Sequence, residues 1–321
     1  MTQKEIARKL NVSQATVSMA LKGSARISQT LRDSVRKLAD DSGYLPNLAG
    51  QLLRQGRSNV IGIVFPSLVN SFYAELYQEL QRKLQPHGYL LYLSRADTPE
   101  ELSSTAAYLR QLQVAGVVAL GSAEKELRPL RESGIALVFY GGEAPLEGVS
   151  QVLPDRYRAG LELTRFLLSR KRTRIAFIGM LRPEEQRVKG YRDALAEAGI
   201  AYDPKLTIAV SDSMGNGYTA MRKLLKEHPD IDGVFTHNDE MAIGALRAAA
   251  EAGIRVPEQL SLAGFDSIET GRYLSPALTT VEQPLDRIAD ALVSELLAVM
   301  ADPKHNRFVS IPCRLVERES A

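Results

Sequence analysis

From Val60 onward the chain alternates short apolar runs with amphipathic stretches, and this alternation restricts the fold more than any other feature of the sequence. The apolar runs are Val60–Phe65, Tyr89–Leu93, Gly116–Leu120 and Ala136–Tyr140, then Arg174–Ile178, Leu206–Val210, Gly233–Thr236 and Leu260–Phe265. Each is short and nearly all apolar, as expected of a strand covered on both faces. Between them lie helical patterns at Phe72–Leu84, Leu102–Leu112, Leu161–Leu168, Tyr191–Ala198, Met221–Leu225 and Met241–Ala252. Strand–helix alternation implies parallel sheets joined by right-handed crossovers. The two series match in pattern: Ile61-Gly62-Ile63-Val64-Phe65 parallels Ile175-Ala176-Phe177-Ile178-Gly179. Two doubly wound units side by side enclose a ligand between the C-terminal ends of their strands.

The first 58 residues have a different character. Ile6, Ala7 and Leu10 make a small apolar face on a helix beginning near Thr2. Asn11 suits the left-handed conformation that ends such a helix, and Ser13 suits the cap of the next. In that second helix Val17, Ala20 and Leu21 share the inward face, whereas Gln14, Ala15, Ser18 and Met19 point elsewhere. Ser28 suits the cap of a third helix carrying Val35, Leu38 and Ala39. Such a helix-turn-helix places its second helix in the major groove of DNA. Residues 1–58 carry ten Lys or Arg against four acids, a charge of +6; since the chain totals +2, the remainder carries −4. A basic head on an acidic body concentrates phosphate attraction at one end.

Tyr44–Ser58 is expected to be a linker with a short helix, opened near Pro46 and closed by Gly56. Gly50 weakens that helix by roughly 1 kcal/mol relative to Ala, so it should fold only against a partner copy or DNA.

Composition removes several alternatives. With one cysteine, Cys313, there is no intrachain disulfide and no cysteine metal cluster. Four scattered histidines (His87, His228, His237, His305) lack ligand spacing, and neither a metal nor a cofactor is expected. No nucleophile–histidine arrangement is evident. The charged start lacks a signal-peptide core, and no apolar run reaches membrane-spanning length, so a cytoplasmic, non-membrane protein is expected. Gly141-Gly142 and Gly215/Gly217 are expected in turns.

Taken in order, the motifs resemble the lactose repressor family of bacterial transcription regulators. In the head and linker these are Ile6-Ala7, Val12-Ser13, Thr16-Val17-Ser18 and Gly43-Tyr44-Leu45-Pro46-Asn47. In the body they are Ile61-Gly62, Arg174-Ile175-Ala176-Phe177-Ile178-Gly179, Asn238-Asp239-Glu240-Met241-Ala242-Ile243-Gly244, Gly264-Phe265-Asp266 and Leu278-Thr279-Thr280-Val281-Glu282-Gln283-Pro284. The resemblance implies an α/β fold: a helix-turn-helix head plus two doubly wound subdomains of periplasmic-binding-protein-like type. It implies a non-enzymatic, ligand-responsive regulator, usually a repressor, that binds a near-palindromic operator in double-stranded DNA as a homodimer. Its effector would be a small molecule, a sugar or related metabolite.

On that basis the head spans 1–45 and the hinge and linker 46–58. The first subdomain takes 59–152 with 284–307, the second 153–283 with 308–321, and the chain crosses near Ser150–Pro154, Gln283–Pro284 and Asn306–Phe308. DNA contacts are expected from Ser13, Gln14, Ala15, Thr16, Ser18, Met19, Arg26, Asn47 and Leu53, the last as a minor-groove wedge. Met19 stands where the family often has Arg, so it offers an apolar contact in place of a bidentate guanine contact.

The effector site is expected at Phe72, Tyr140, Arg187, Asn238 and Asp266. Tyr140 and Ser67 replace frequent acidic or amide groups, which favours a ligand with an apolar or aromatic face over a plain hexose. Each polar member also suits a structural role: Asn238 and Asp266 as caps, Arg187 in an ion pair, Asp239 as cap of the helix at Met241 and His237 as a bystander.

Overall fold

The computed structural model describes the chain apart from residue 22 and residues 45–57, 122–123, 143–145 and 182–184. The expectations for Asn47, Leu53 and the hinge helix fall outside the described residues. The chain divides into a unit at residues 1–57 and a unit at residues 58–321.

The first unit is three helices, α1 (Gln3–Lys9), α2 (Gln14–Leu21) and α3 (Gln29–Asp41). Thr2 and Glu5 form a reciprocal capping box at the start of α1. Asn11 takes φ 53°, the left-handed turn that lets α2 begin. The core is Ile6, Ala7, Val17, Ala20, Ile27, Val35 and Ala39. Met19 departs from the outward placement expected of it: it is half-buried and packs on this core, as a flexible thioether readily does.

The second unit opens with β1 (Val60–Phe65), α4 (Ser71–Leu84), β2 (Leu90–Arg95), α5 (Pro99–Gln111), β3 (Gly116–Leu120), α6 (Glu124–Glu132), β4 (Ala136–Tyr140) and β5 (Ser150–Pro154). It continues with α7 (Arg156–Ser169), β6 (Ile175–Gly179), α8 (Gln186–Glu197), β7 (Thr207–Ala209), α9 (Met214–Glu227), β8 (Gly233–Thr236), α10 (Asp239–Glu251), β9 (Ser261–Ala263) and β10 (Thr280–Glu282). It closes with α11 (Leu285–Ala301), β11 (Phe308–Ile311) and β12 (Arg314–Val316).

A parallel sheet runs β11-β5-β4-β3-β1-β2, a second runs β7-β6-β8-β9, and β10 pairs antiparallel with β12. The pleat sorts each strand. In the first sheet Ile61, Ile63, Val118 and Val138 pack under Leu76, Leu80, Ile288, Leu292 and Leu296 of α4 and α11. Val64, Val117, Ala119, Leu137 and Phe139 face the opposite layer, with Leu102 and Leu109 of α5 and Leu127 and Leu130 of α6. The second sheet is likewise sandwiched, with α9 and α10 on one face and α7 and α8 on the other.

The boundaries at 152 and 308 require correction. β5 stays in the first sheet to Pro154, and β11 pairs with it from Phe308↔Gln151 to Ile311↔Pro154. The outer edge of buried β5 would otherwise leave its ladder groups without partners, and it captures the returning chain. The last crossing therefore follows Ile311. Gly215 and Gly217 also lie inside α9 rather than in a turn. A Cβ on Gly217 would sit 2.2 Å from the carbonyl oxygen of Met241, so this glycine permits a close crossing of α9 and α10.

Candidate effector cleft and candidate nucleic-acid interface

A cavity of about 610 Å³ lies at the C-terminal ends of both parallel sheets. Its walls come from the residues that follow β1, β3, β4, β6, β7, β8 and β9, where α/β sheets gather ligand groups. The size suits a small metabolite. All five expected residues (Phe72, Tyr140, Arg187, Asn238 and Asp266) line it.

Arg187 is positioned from two directions. Glu185 caps α8 and accepts from Arg187 Nη1 at 3.0 Å, while the ring of Phe265 lies 4.3 Å beneath the guanidinium. Burial favours a neutral Glu185, but Arg187, His237 and Arg156 outweigh it and hold the carboxyl well below its ordinary range. Arg187 Nε is buried without a hydrogen-bond partner. Arg187 thus both pairs with Glu185 and lines the cavity. The helix carrying Arg187 approaches α7 closely. A Cβ on Gly190 would lie 2.3 Å from Tyr157 O, and one on Gly160 would lie 2.6 Å from Arg187 O.

Asp266 follows β9 with φ 112°, a strained conformation for a residue with a side chain, held by its N–H to Val281 O at 2.8 Å. Its Oδ1 accepts from Gln283 Nε2 at 2.5 Å, and Gln283 Oε1 accepts from the phenol of Tyr140 at 2.6 Å. Burial pushes the Asp266 carboxyl up to about 7, against the opposing pull of Arg187 and Gln283. Tyr140 is 2% exposed and stacks on Phe72 at 5.8 Å, and burial raises its phenol far above the ordinary value. Tyr73, edge-on to Phe72 at 5.5 Å, completes the aromatic wall, its phenol pushed up to about 12 by burial.

Asn238 is at once cap and cavity residue: its Oδ1 accepts from Met241 N at 3.0 Å and its Nδ2 donates to Asp212. Asp239 is not the cap. It is fully buried, accepting from Thr280 Oγ1 at 2.5 Å and Ile268 N at 2.9 Å, because Gly264 beside it leaves no side chain to exclude the carboxylate. His237 lines the cavity, 3.4 Å from Arg187 Nη1. Sequence reasoning missed Asn70, Tyr73, Arg156, Glu185, Asp212 and Gln283, which also line it. Gln283 was visible as part of a motif but carried no assigned role.

In the head, Ser13 Oγ accepts the N–H of Thr16 at 3.0 Å and contacts its hydroxyl at 2.8 Å, capping α2. Gln14, Ala15 and Arg26 are exposed, and Thr16 and Ser18 half-exposed. Lys4, Arg8, Lys9, Arg36 and Lys37 add exposed positive charge. A capped helix N-terminus on a unit that carries exposed positive charge suits a phosphate backbone. Among the described residues no helix is long and apolar enough to cross a membrane.

Two family models match the chain, "Bacterial regulatory proteins, lacI family" over residues 2–47 and "Periplasmic binding protein-like domain" over residues 164–321. The chain is 31% identical to the HTH-type transcriptional repressor CytR of Escherichia coli (strain K12), covering 99% of this chain and 94% of that protein. It is 27% identical in sequence to the transcriptional regulator CelR, whose structure with cellobiose superposes with a TM-score of 0.76 over 100% of both chains. The lac repressor dimer bound to operator and the anti-inducer ONPF, at 20% identity and a TM-score of 0.85 over 100% of this chain and 98% of that one, shares the fold.

Proposed function

The chain belongs to the lacI family of bacterial regulatory proteins, a family of DNA-binding transcription regulators rather than enzymes, and we propose that it is a repressor controlled by a metabolite held in the cleft. The observation that carries this reading is the convergence of Phe72, Tyr140, Arg187, Asn238 and Asp266 on one cavity. Two heads of a homodimer read the half-sites of a near-palindromic operator, each inserting its Gln14–Met19 helix in the major groove through the exposed side chains of that segment. The effector is a carbohydrate or a related polyhydroxylated metabolite with one apolar face. Aromatic Phe72, Tyr73 and Tyr140 suit such a face, and Arg187, Asn238 and Asp266 suit its hydroxyls. CelR supports the class, since its structure holds cellobiose. Effector binding shifts the balance between arrangements of the two sheets, and by linkage the operator alters effector affinity by the same factor. The protein acts in the cytoplasm, where the operator is.

The test is a gel-shift assay on DNA upstream of the protein's own gene, with a thermal-shift screen of sugars. The reading requires retarded DNA that deletion of residues 1–58 abolishes, and a sugar that both raises the melting temperature and changes the retardation. A chain that binds no DNA under any condition refutes it.

A further inference from the structure

Two helices begin at the cleft from opposite halves of the body, α4 at Ser71 and α10 at Asp239. Each is capped by an asparagine: Asn70 Oδ1 accepts from Phe72 N at 3.0 Å, and Asn238 Oδ1 accepts from Met241 N at 3.0 Å. Both asparagines also donate an amide N–H to one carboxylate, that of Asp212 in the segment between β7 and α9. Asn70 Nδ2 reaches Oδ2 at 3.0 Å and Asn238 Nδ2 reaches Oδ1. A second carboxylate reaches across in the same direction: Glu240, in the first turn of α10, accepts both the N–H (3.2 Å) and the hydroxyl (2.8 Å) of Ser71. The Ser71 N–H is one of the donors a helix start leaves without an intrahelical partner, and here the opposite half of the body supplies it. A third, Glu75 of α4, accepts the backbone N–H of Glu269 at 3.2 Å.

The acceptors in these three ties are carboxylates, and the donors are uncharged. Two helix N-termini carry partial positive charge and converge on Asp212, so an acid there stabilises both while drawing them together.

We propose that Asp212 and Glu240 form an acid clamp that bridges the cleft and sets the balance on which the effector acts. The proposal rests on the cleft being the effector site. Asp212 and Glu240 are thus positioning residues: they act on the geometry of the caps rather than on the DNA. The clamp also bears on how a ligand binds, because one amide hydrogen of Asn70 and one of Asn238 are held by Asp212, and these two reach a ligand only when that carboxylate yields them.

The experiment uses the full-length, ligand-free protein and its Asp212→Ala and Glu240→Ala variants. Hydrogen exchange is read at Ser71 and Phe72 and, as an internal control, at Leu76–Leu84 in the same helix, with solution X-ray scattering alongside. Loss of a charge-assisted bond should speed exchange at the start of α4 by about tenfold while the control segment is unchanged. The radius of gyration should rise. Asp212→Asn, which keeps one carbonyl oxygen and so satisfies one asparagine only, should give a smaller effect of the same sign and guards against a folding defect in the alanine variant. Wild-type exchange and scattering in all three variants would overturn the clamp. A cleft that opens in the variants while no sugar shifts the wild-type melting temperature would leave the clamp standing and remove the effector reading instead.

Discussion

Gln283 donates its carboxamide N–H to Asp266 at 2.5 Å, and the same carboxamide accepts the phenol proton of Tyr140 at 2.6 Å. Tyr140 ends β4 of the first sheet and Asp266 follows β9 of the second, so one side chain, on the segment where the chain passes between them, couples the two. Tyr140→Phe leaves Gln283 Oε1 without its donor in a buried position. The expected loss is about 1–3 kcal/mol, read as a lower urea midpoint with an unchanged slope. Unaltered stability would show that the chain of bonds contributes nothing net.

Asp266 gives a pH dependence whose sign follows from burial. Its carboxyl is raised from 3.8 to about 7 in the folded protein, so between those values the folded state holds a proton that the unfolded state has released. Stability from this group is therefore present below about pH 4 and is lost as pH rises to 7, by about 4 kcal/mol at most. Asp266→Asn keeps an acceptor for Gln283 and removes that titration. The variant should be more stable than the parent at pH 8, with a flatter profile from pH 4 to 7, and should lose its effector response. Melting curves across that range check the first two, and a parallel profile with normal response sinks the assignment.

Gly190→Ala tests how Arg187 is held. The new methyl would lie 2.3 Å from Tyr157 O, so α7 and α8 must separate. The expected cost is about 1–3 kcal/mol of stability, together with weaker effector affinity as Arg187 shifts. Ligand titration of the purified variant separates the two effects. Retained affinity in a destabilised protein would make the contact purely architectural.

In the head, two exposed side chains should behave differently. Gln14→Ala should lower operator affinity by about 1–3 kcal/mol and leave random-sequence binding nearly unchanged, as expected for a base-edge contact. Arg26→Ala should weaken both equally and reduce the salt slope by about one unit, as a phosphate contact does. Fluorescence anisotropy at several salt concentrations distinguishes them, and swapped behaviour would exchange their roles.

How much was legible beforehand differs from element to element. β1 was readable to the residue, since Val60–Phe65 is a continuous apolar run stopped by Pro66. α9 was readable only at Met221–Leu225, because Gly215 and Gly217 imitate a turn; the reason for Gly217 is the neighbouring backbone of α10, which no local pattern reveals. α7 begins five residues earlier than its apolar pattern, at a polar turn that Asp155 caps. The five expected cleft residues came from motif resemblance. Asp212 came from nothing local, for its partners Asn70 and Asn238 are 142 and 26 residues away in sequence. Periodicity reports what faces a core; it says little about a carboxylate defined by two distant amides.

β11 completes the edge of the first sheet, and α11 covers one face of it, although residues 285–311 are made long after β1–β5. During synthesis the first half of the body thus emerges with an unpaired edge at β5 and with Ile61, Val118 and Val138 lacking the cover of Ile288, Leu292 and Leu296. It cannot close until Ile311 has left the ribosome. The head, whose core is complete by Ala39, is free to fold long before. A nascent chain therefore presents a finished DNA-reading module ahead of a body that must wait for its last strands, and a truncated product keeps the first without the second.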